Sequence, residues 1–311
     1  VTPHTTDRPW RRDSLAAWPA FAHYLPGAGF CLAFAIAFIV MSGIVRHDGP
    51  ALATLMTYGM TSAFFIAIGL RRAPNWINSA GRDARGLLLI NGLTIANTFL
   101  VYVILLNVSA FTYVLVFFGT LPACVAVLRK CLGKADSWRF THVGLAGGIG
   151  LAACVSSQTS LSASLTGVGL SIVSAIAGAS YLDVSKDFQV KTNLGTSDIL
   201  ALRFIGTIIF AGALVFQEPA RPVLTLGAWL TYAFIALVGS VIPLYLLQKS
   251  NEWIGPERTA RLMPLIPLLC AFLSFVAAPV APSLADLAIV TAATIAMLIA
   301  VHRPTNGRKG D

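Results

Sequence analysis

Ten long stretches of predominantly apolar residues recur along the chain, and nothing else in it constrains the fold as tightly. They cover 28–45, 51–70, 86–106, 111–128, 143–155, 165–182, 199–216, 226–247, 262–280 and 284–301. The fifth is short and the seventh contains Arg203. Spanning the hydrocarbon core takes about 20 such residues as a helix, the form in which a single segment satisfies its own backbone in lipid. Barrel strands would read as shorter, alternating segments. Composition agrees, with 56% hydrophobic residues and 11% charged, where soluble domains carry about 25% charged. Mean hydropathy is +0.76. The expected fold class is an all-α polytopic membrane protein with ten transmembrane helices.

The net charge of +9 does not point to nucleic acid, because the basic residues are scattered between apolar runs rather than gathered in a stripe. Membrane lipid is the expected surrounding. The five cysteines (Cys31, Cys124, Cys131, Cys154 and Cys270) are odd in number and form no CxxC pair. Neither a disulfide framework nor a zinc site is supported, and no metal or cofactor is expected. The first apolar run is too long, and too far from residue 1, for a cleavable signal. Arg11 and Arg12 read as a cytoplasmic anchor.

The connections between runs carry the topology. Taken alternately, nineteen of the 22 basic residues fall on one side, Arg46 and Arg221 on the other, and Arg203 within a span. Positive charge stays cytoplasmic, which places both termini inside a cell inner membrane. The expected organisation is a tail (1–27), a five-helix repeat (28–155), an external linker (156–164), a second repeat (165–301) and a tail (302–311). One offset of 145 residues sets Pro122 opposite Pro267, Tyr113 opposite Arg258 and Tyr58 opposite Arg203. Five helices is an odd number, so the second copy enters the membrane inverted, as in alternating-access carriers.

Three stretches resemble the drug/metabolite transporter superfamily, in its EamA-type ten-helix form. They are TSDILALRFIGTIIFAG with Arg203-Phe204, TYVLVFFGTLPACVAVL with Pro122, and GPERTARLMPLIPLLCAFL with Arg258 and Pro267. The resemblance spans about 28 to 301. Departures are Lys134 after Gly133, the second copy's AAPVAPSLAD, and the added Arg261. The resemblance implies a secondary transporter, not an enzyme. Helices one, three, four, six, eight and nine would line its cavity, and export is the favoured direction. The substrate class expected is a small polar metabolite, an amino acid or other small organic acid. A phosphorylated-sugar or other organophosphate exchanger is the alternative. From other classes, a lipid-modifying membrane enzyme and a non-transporting membrane subunit also stay open.

Several residues carry candidate roles. Arg258 and Arg261, three apart on one helix face, either hold an anionic substrate through their guanidinium forks or anchor at the cytoplasmic surface. Pro122, Pro264 and Pro267 free backbone carbonyls and act as hinges, or simply kink packed helices. Polar residues within spans are candidate cavity groups: Ser42, Asn91, Thr94, Asn97, Tyr113, Tyr181 and Tyr245. Asn91, Thr94 and Asn97 read as one polar stripe, lining a cavity or bonding to another helix. Arg203 is assigned a structural role, snorkelling toward cytoplasmic water beside Asp198. Gly144 and Gly148 form a GxxxG packing face, which also admits a homodimer. None of the thirteen acidic residues is central in a span, Asp183 coming nearest. Exchange or facilitated flow is therefore expected rather than carboxylate-based proton coupling.

Overall fold

The computed structural model describes residues 20–42, 49–72, 76–108, 110–133, 161–217 and 225–277, with isolated positions between 288 and 299. A 3₁₀ turn leads into α1 (Leu25–Ser42), followed by α2 (Pro50–Arg72), the short α3 (Trp76–Gly81), α4 (Ala84–Asn107) and α5 (Ala110–Cys131). Then come α6 (Leu161–Thr192), α7 (Thr196–Arg203), α8 (Ile205–Gln217), α9 (Leu226–Ile235), a π-helical segment (Ala236–Val241), α10 (Ile242–Leu262) and α11 (Leu265–Ala277). Among the described residues, six spans are long and apolar enough to cross a membrane, and Ala22–Ala37 is a shorter apolar helix. Eight of the ten apolar runs fall on these helices. The fifth, with Gly144 and Gly148, lies outside the described residues, and the tenth largely does.

Local chemistry sets several boundaries. The Asp83 carboxylate accepts the Gly86 N–H at 3.1 Å to start α4, and Thr225 caps α9 through Ala228 N–H at 3.3 Å. Gly255 has φ 82° and ψ 169°, a backbone region that is essentially glycine-only, and it breaks α10 into two pieces. Pro256 follows at the first position of the second piece, where its missing N–H costs nothing.

Large apolar side chains face outward along the helices: Leu88, Ile209, Phe216, Leu226 and Leu230 are all exposed. Such a surface belongs in lipid rather than water. The interior also holds polar groups, including Thr54, Thr61, Ser171, Ser174, Gln248 and Asn251, all fully buried. Cys31 and Cys270 are buried, Cys124 is partly buried, and Cys131 is exposed at the end of α5.

The packing order is regular. Helix α1 lies against α10 and α11, α6 lies against α4 and α5, and α2 lies against α7 and α8. Helices α6 and α10 meet, whereas α1 and α4 make no comparable contact among the described residues.

Candidate functional site: a central aromatic cavity with a buried arginine

The helix that positions the site is broken. Helix α7 ends at Arg203, Phe204 adopts φ −99° and ψ −2°, and α8 resumes at Ile205. A break leaves the last carbonyls of one helix and the first amides of the next without intrahelical partners. Neighbouring helices supply them. The Asn91 amide of α4 donates to Leu202 C=O at 3.1 Å and accepts from Gly206 N–H at 2.8 Å. Ser62 of α2 donates to Ala201 C=O at 3.3 Å. Phe204 stacks on Tyr58 of α2 with ring centroids 5.0 Å apart and planes at 19°.

This arrangement turns Arg203 into a cavity enclosed by α1, α2, α4, α5, α6 and α10. Its volume is about 80 Å³, and its wall includes Phe30 and Phe34 of α1, Tyr58, Asn97 of α4, and Tyr113, Phe117 and Phe118 of α5. Tyr181 of α6, Arg203, Gly239 of the π segment, Leu244 and Leu247 of α10, and Met263 complete it. That volume is several times the roughly 10–15 Å³ that a cavity needs to hold one water. Phe34 and Phe118 meet edge-to-face at 5.0 Å, as do Phe117 and Phe118 at 4.7 Å, so much of the wall is aromatic.

Arg203 is 2% exposed, with its guanidinium carbon 3.9 Å from the Tyr181 ring centroid and 4.8 Å from that of Phe204. Its Nε and Nη1 atoms have no hydrogen-bond partner. The expectation that it snorkels to water is therefore corrected. The break at Phe204 lets the helix end inside the bundle, so an arginine one turn into the span points at the cavity rather than the interface. Tyr181 O–H donates to Gln248 Oε1 at 2.8 Å, and Ser174 O–H donates to Asn97 Oδ1 at 2.8 Å.

The polar stripe on α4 does not act as one. Each residue turns a helix by about 100°, so positions six apart diverge by about 120°. Asn91 serves the α7–α8 break, Thr94 is buried with its hydroxyl unpartnered, and Asn97 reaches the cavity. Among the other candidates, Tyr113 and Tyr181 line the wall, whereas Tyr245 is 37% exposed and does not. Ser42 is the last residue of α1, and its side chain lies outside the described residues.

Arg258 is exposed, and Arg261 pairs with Glu257 one helical turn away; neither lines the cavity. Pro122 lies inside α5, where it cannot donate to Phe118 C=O. The reading of Pro264 and Pro267 inside one continuous helix is corrected: Pro264 sits in a turn between α10 and α11, and Pro267 in the first turn of α11. Neither proline there removes a helical hydrogen bond. Phe30, Phe34 and Gln248 were not among the candidates. Phenylalanines in an apolar run carry no signal of which face they occupy, and Gln248 is the first polar residue beyond the eighth run.

One end of the bundle gathers ion pairs. Arg129 meets Asp183 at 3.2 Å, Lys191 meets Asp83 at 3.3 Å and Lys249 meets Glu252 at 3.2 Å. Asn251 donates to Leu182 C=O at 2.9 Å and to Ser185 at 3.1 Å, and Lys186 Nζ donates to Glu252 C=O at 2.6 Å. These bonds join α6 to α10 below the cavity.

No family model and no curated protein sequence matches the chain. It is similar in structure to a protein solved by crystallography, with a TM-score of 0.69 and 17% identity over 91% of this chain and 97% of that one. At that identity the likeness shows a shared fold.

Proposed function

We propose that the chain is a secondary carrier of the drug/metabolite transporter type, with ten helices in two inverted five-helix halves. It moves a small organic acid or amino acid across the inner membrane by alternating access, with export as the direction and both termini cytoplasmic. The observation that carries this reading is the packing order around the cavity. The first helix of each half lies against the third and fourth of the other, and the second helices face each other. Exchanging the halves returns the same pattern, as an inverted repeat requires. Tyr58 and Arg203, matched in sequence by the 145-residue offset, both stand at the cavity.

Among the described residues α1 and α4 lack a contact comparable to that of α6 and α10, which agrees with the same mechanism. In such a carrier, α6 and α10 would close the ion-paired end while α1 and α4 leave the other open. The basic residues of that end make it the cytoplasmic one. Asp183 already has Arg129 as a partner, which favours exchange or facilitated flow over a carboxylate proton relay. The organophosphate alternative draws less support, since Arg258 and Arg261 lie away from the cavity.

Purified protein in proteoliposomes, offered a panel of organic acids, amino acids and sugar phosphates, is expected to move at least one class down its gradient. If no solute moves while a lipid substrate is turned over, the carrier reading is lost to the membrane-enzyme one.

A further inference from the structure

We infer that Arg203 is the anion-holding group of the cavity and that its ligand is a small monocarboxylate with an apolar body. The inference rests on the carrier reading for what the ligand is used for, but not for the site itself. Among the described residues, the buried charged side chains are Arg203 and Asp183. Asp183 is matched by Arg129. Arg203 is covered by the Tyr181 and Phe204 rings, which favour a cation over their faces but leave the Nε and Nη1 donors unmatched. A buried, unpaired charge is costly, and one removed from water is normally kept because something answers it. An incoming carboxylate does so, accepting guanidinium N–H bonds in a site of low dielectric.

The rest of the wall narrows the class. Phe30, Phe34 and Phe118 offer ring faces and edges to an apolar body. No carboxylate appears among the described lining residues to receive the ammonium of a zwitterion. A phosphate monoester carries about −1.5 to −2 charge at neutral pH, more than one guanidinium neutralises. A singly charged acid fits the charge of the site best.

The test is a calorimetric titration of the full chain in detergent with solutes that share a phenylalkyl body and differ in head group: 3-phenylpropionate, 3-phenylpropanol, phenylalanine, phenethylamine and phenethyl phosphate. The acid is expected to bind about tenfold or more tightly than each of the others. Arg203→Met should weaken the acid by about tenfold or more while leaving the alcohol within about twofold, a split that general loss of packing would not produce. Arg261→Ala should leave the acid within about twofold, as its pairing with Glu257 lies outside the cavity. Equal binding of the amine, no binding of the acid, or full acid affinity in Arg203→Met would overturn the inference. Should Arg203→Met not fold, the wild-type series decides alone. In proteoliposomes, an acid that binds but is not moved leaves the site standing and removes the carrier reading. Transport restricted to amines or neutral solutes does the reverse.

Discussion

Asn91 shows how much of this molecule's order rests on single polar side chains. Its amide joins α4 to both sides of the α7–α8 break, donating to Leu202 C=O and accepting from Gly206 N–H. An unsatisfied buried group costs about 1–3 kcal/mol. Asn91→Ala leaves the Gly206 N–H and the Leu202 carbonyl without those bonds, so a loss of about 2–4 kcal/mol is expected. A thermal melt in detergent should show a midpoint several degrees lower. Asn91→Asp keeps an acceptor for Gly206 but sets a carboxylate oxygen against Leu202 C=O, so it should lose as much or more. Because the break aims Arg203, Asn91→Ala should also weaken acid binding without touching the cavity itself. The sequence marked Asn91 as polar and within a span, but its partners lie 111 and 115 positions away.

At the scale of elements, Gly255 divides α10. A Cβ at Gly255 would meet nothing within 4 Å, so the cost of Gly255→Ala is one of backbone conformation alone. At φ 82° and ψ 169° that cost is about 1–3 kcal/mol. Chemical denaturation should show the loss, and Gly255→Asn should do no better, since ψ here lies outside the left-handed helical region that asparagine tolerates. In the sequence, Gly255-Pro256 reads as a helix start, with proline at the first helical position, because both residues act locally. The length of α6 is not legible in this way. Its apolar run ends at Leu182, but the helix continues to Thr192. Beyond the run, Lys186 and Lys191 reach α10 and the start of α4. Hydropathy marks where a helix leaves lipid, and the hydrogen-bonded end can lie further on.

For the whole molecule, the proposed inverted repeat predicts a second conformer in which α1 and α4 close and α6 and α10 part. The offset of 145 makes Ile36 and Val103 the counterparts of Tyr181 and Gln248, which now bond at 2.8 Å. Ile36 is 40% exposed in the present conformer. In a background lacking the five native cysteines, Ile36→Cys with Val103→Cys should cross-link in the alternate conformer. Ser185→Cys with Asn251→Cys should cross-link in the present one, where those residues bond at 3.1 Å. The two yields are expected to move in opposite directions when solute is added, and each cross-link should stop transport. Yields that rise together would argue against a rocking exchange of the two halves.

The sequence alone determined what depends on solvent: the apolar runs, their approximate ends, and the separation of charged connections from uncharged spans. Lipid imposes those features residue by residue, so they can be read without knowing any contact. It also marked Gly255 and Pro256, whose effects are confined to their own backbone. Only the tertiary structure decided which polar residues meet. Arg203 reads as an interface arginine until the break at Phe204, held by Asn91 from another helix, turns it into the cavity. Arg258 and Arg261 read as a pair until Arg261 is seen bonded to Glu257 and both are seen outside the wall. In a uniformly apolar helix no hydrophobic face marks the inward side, so inside and outside are fixed by the packing partners alone.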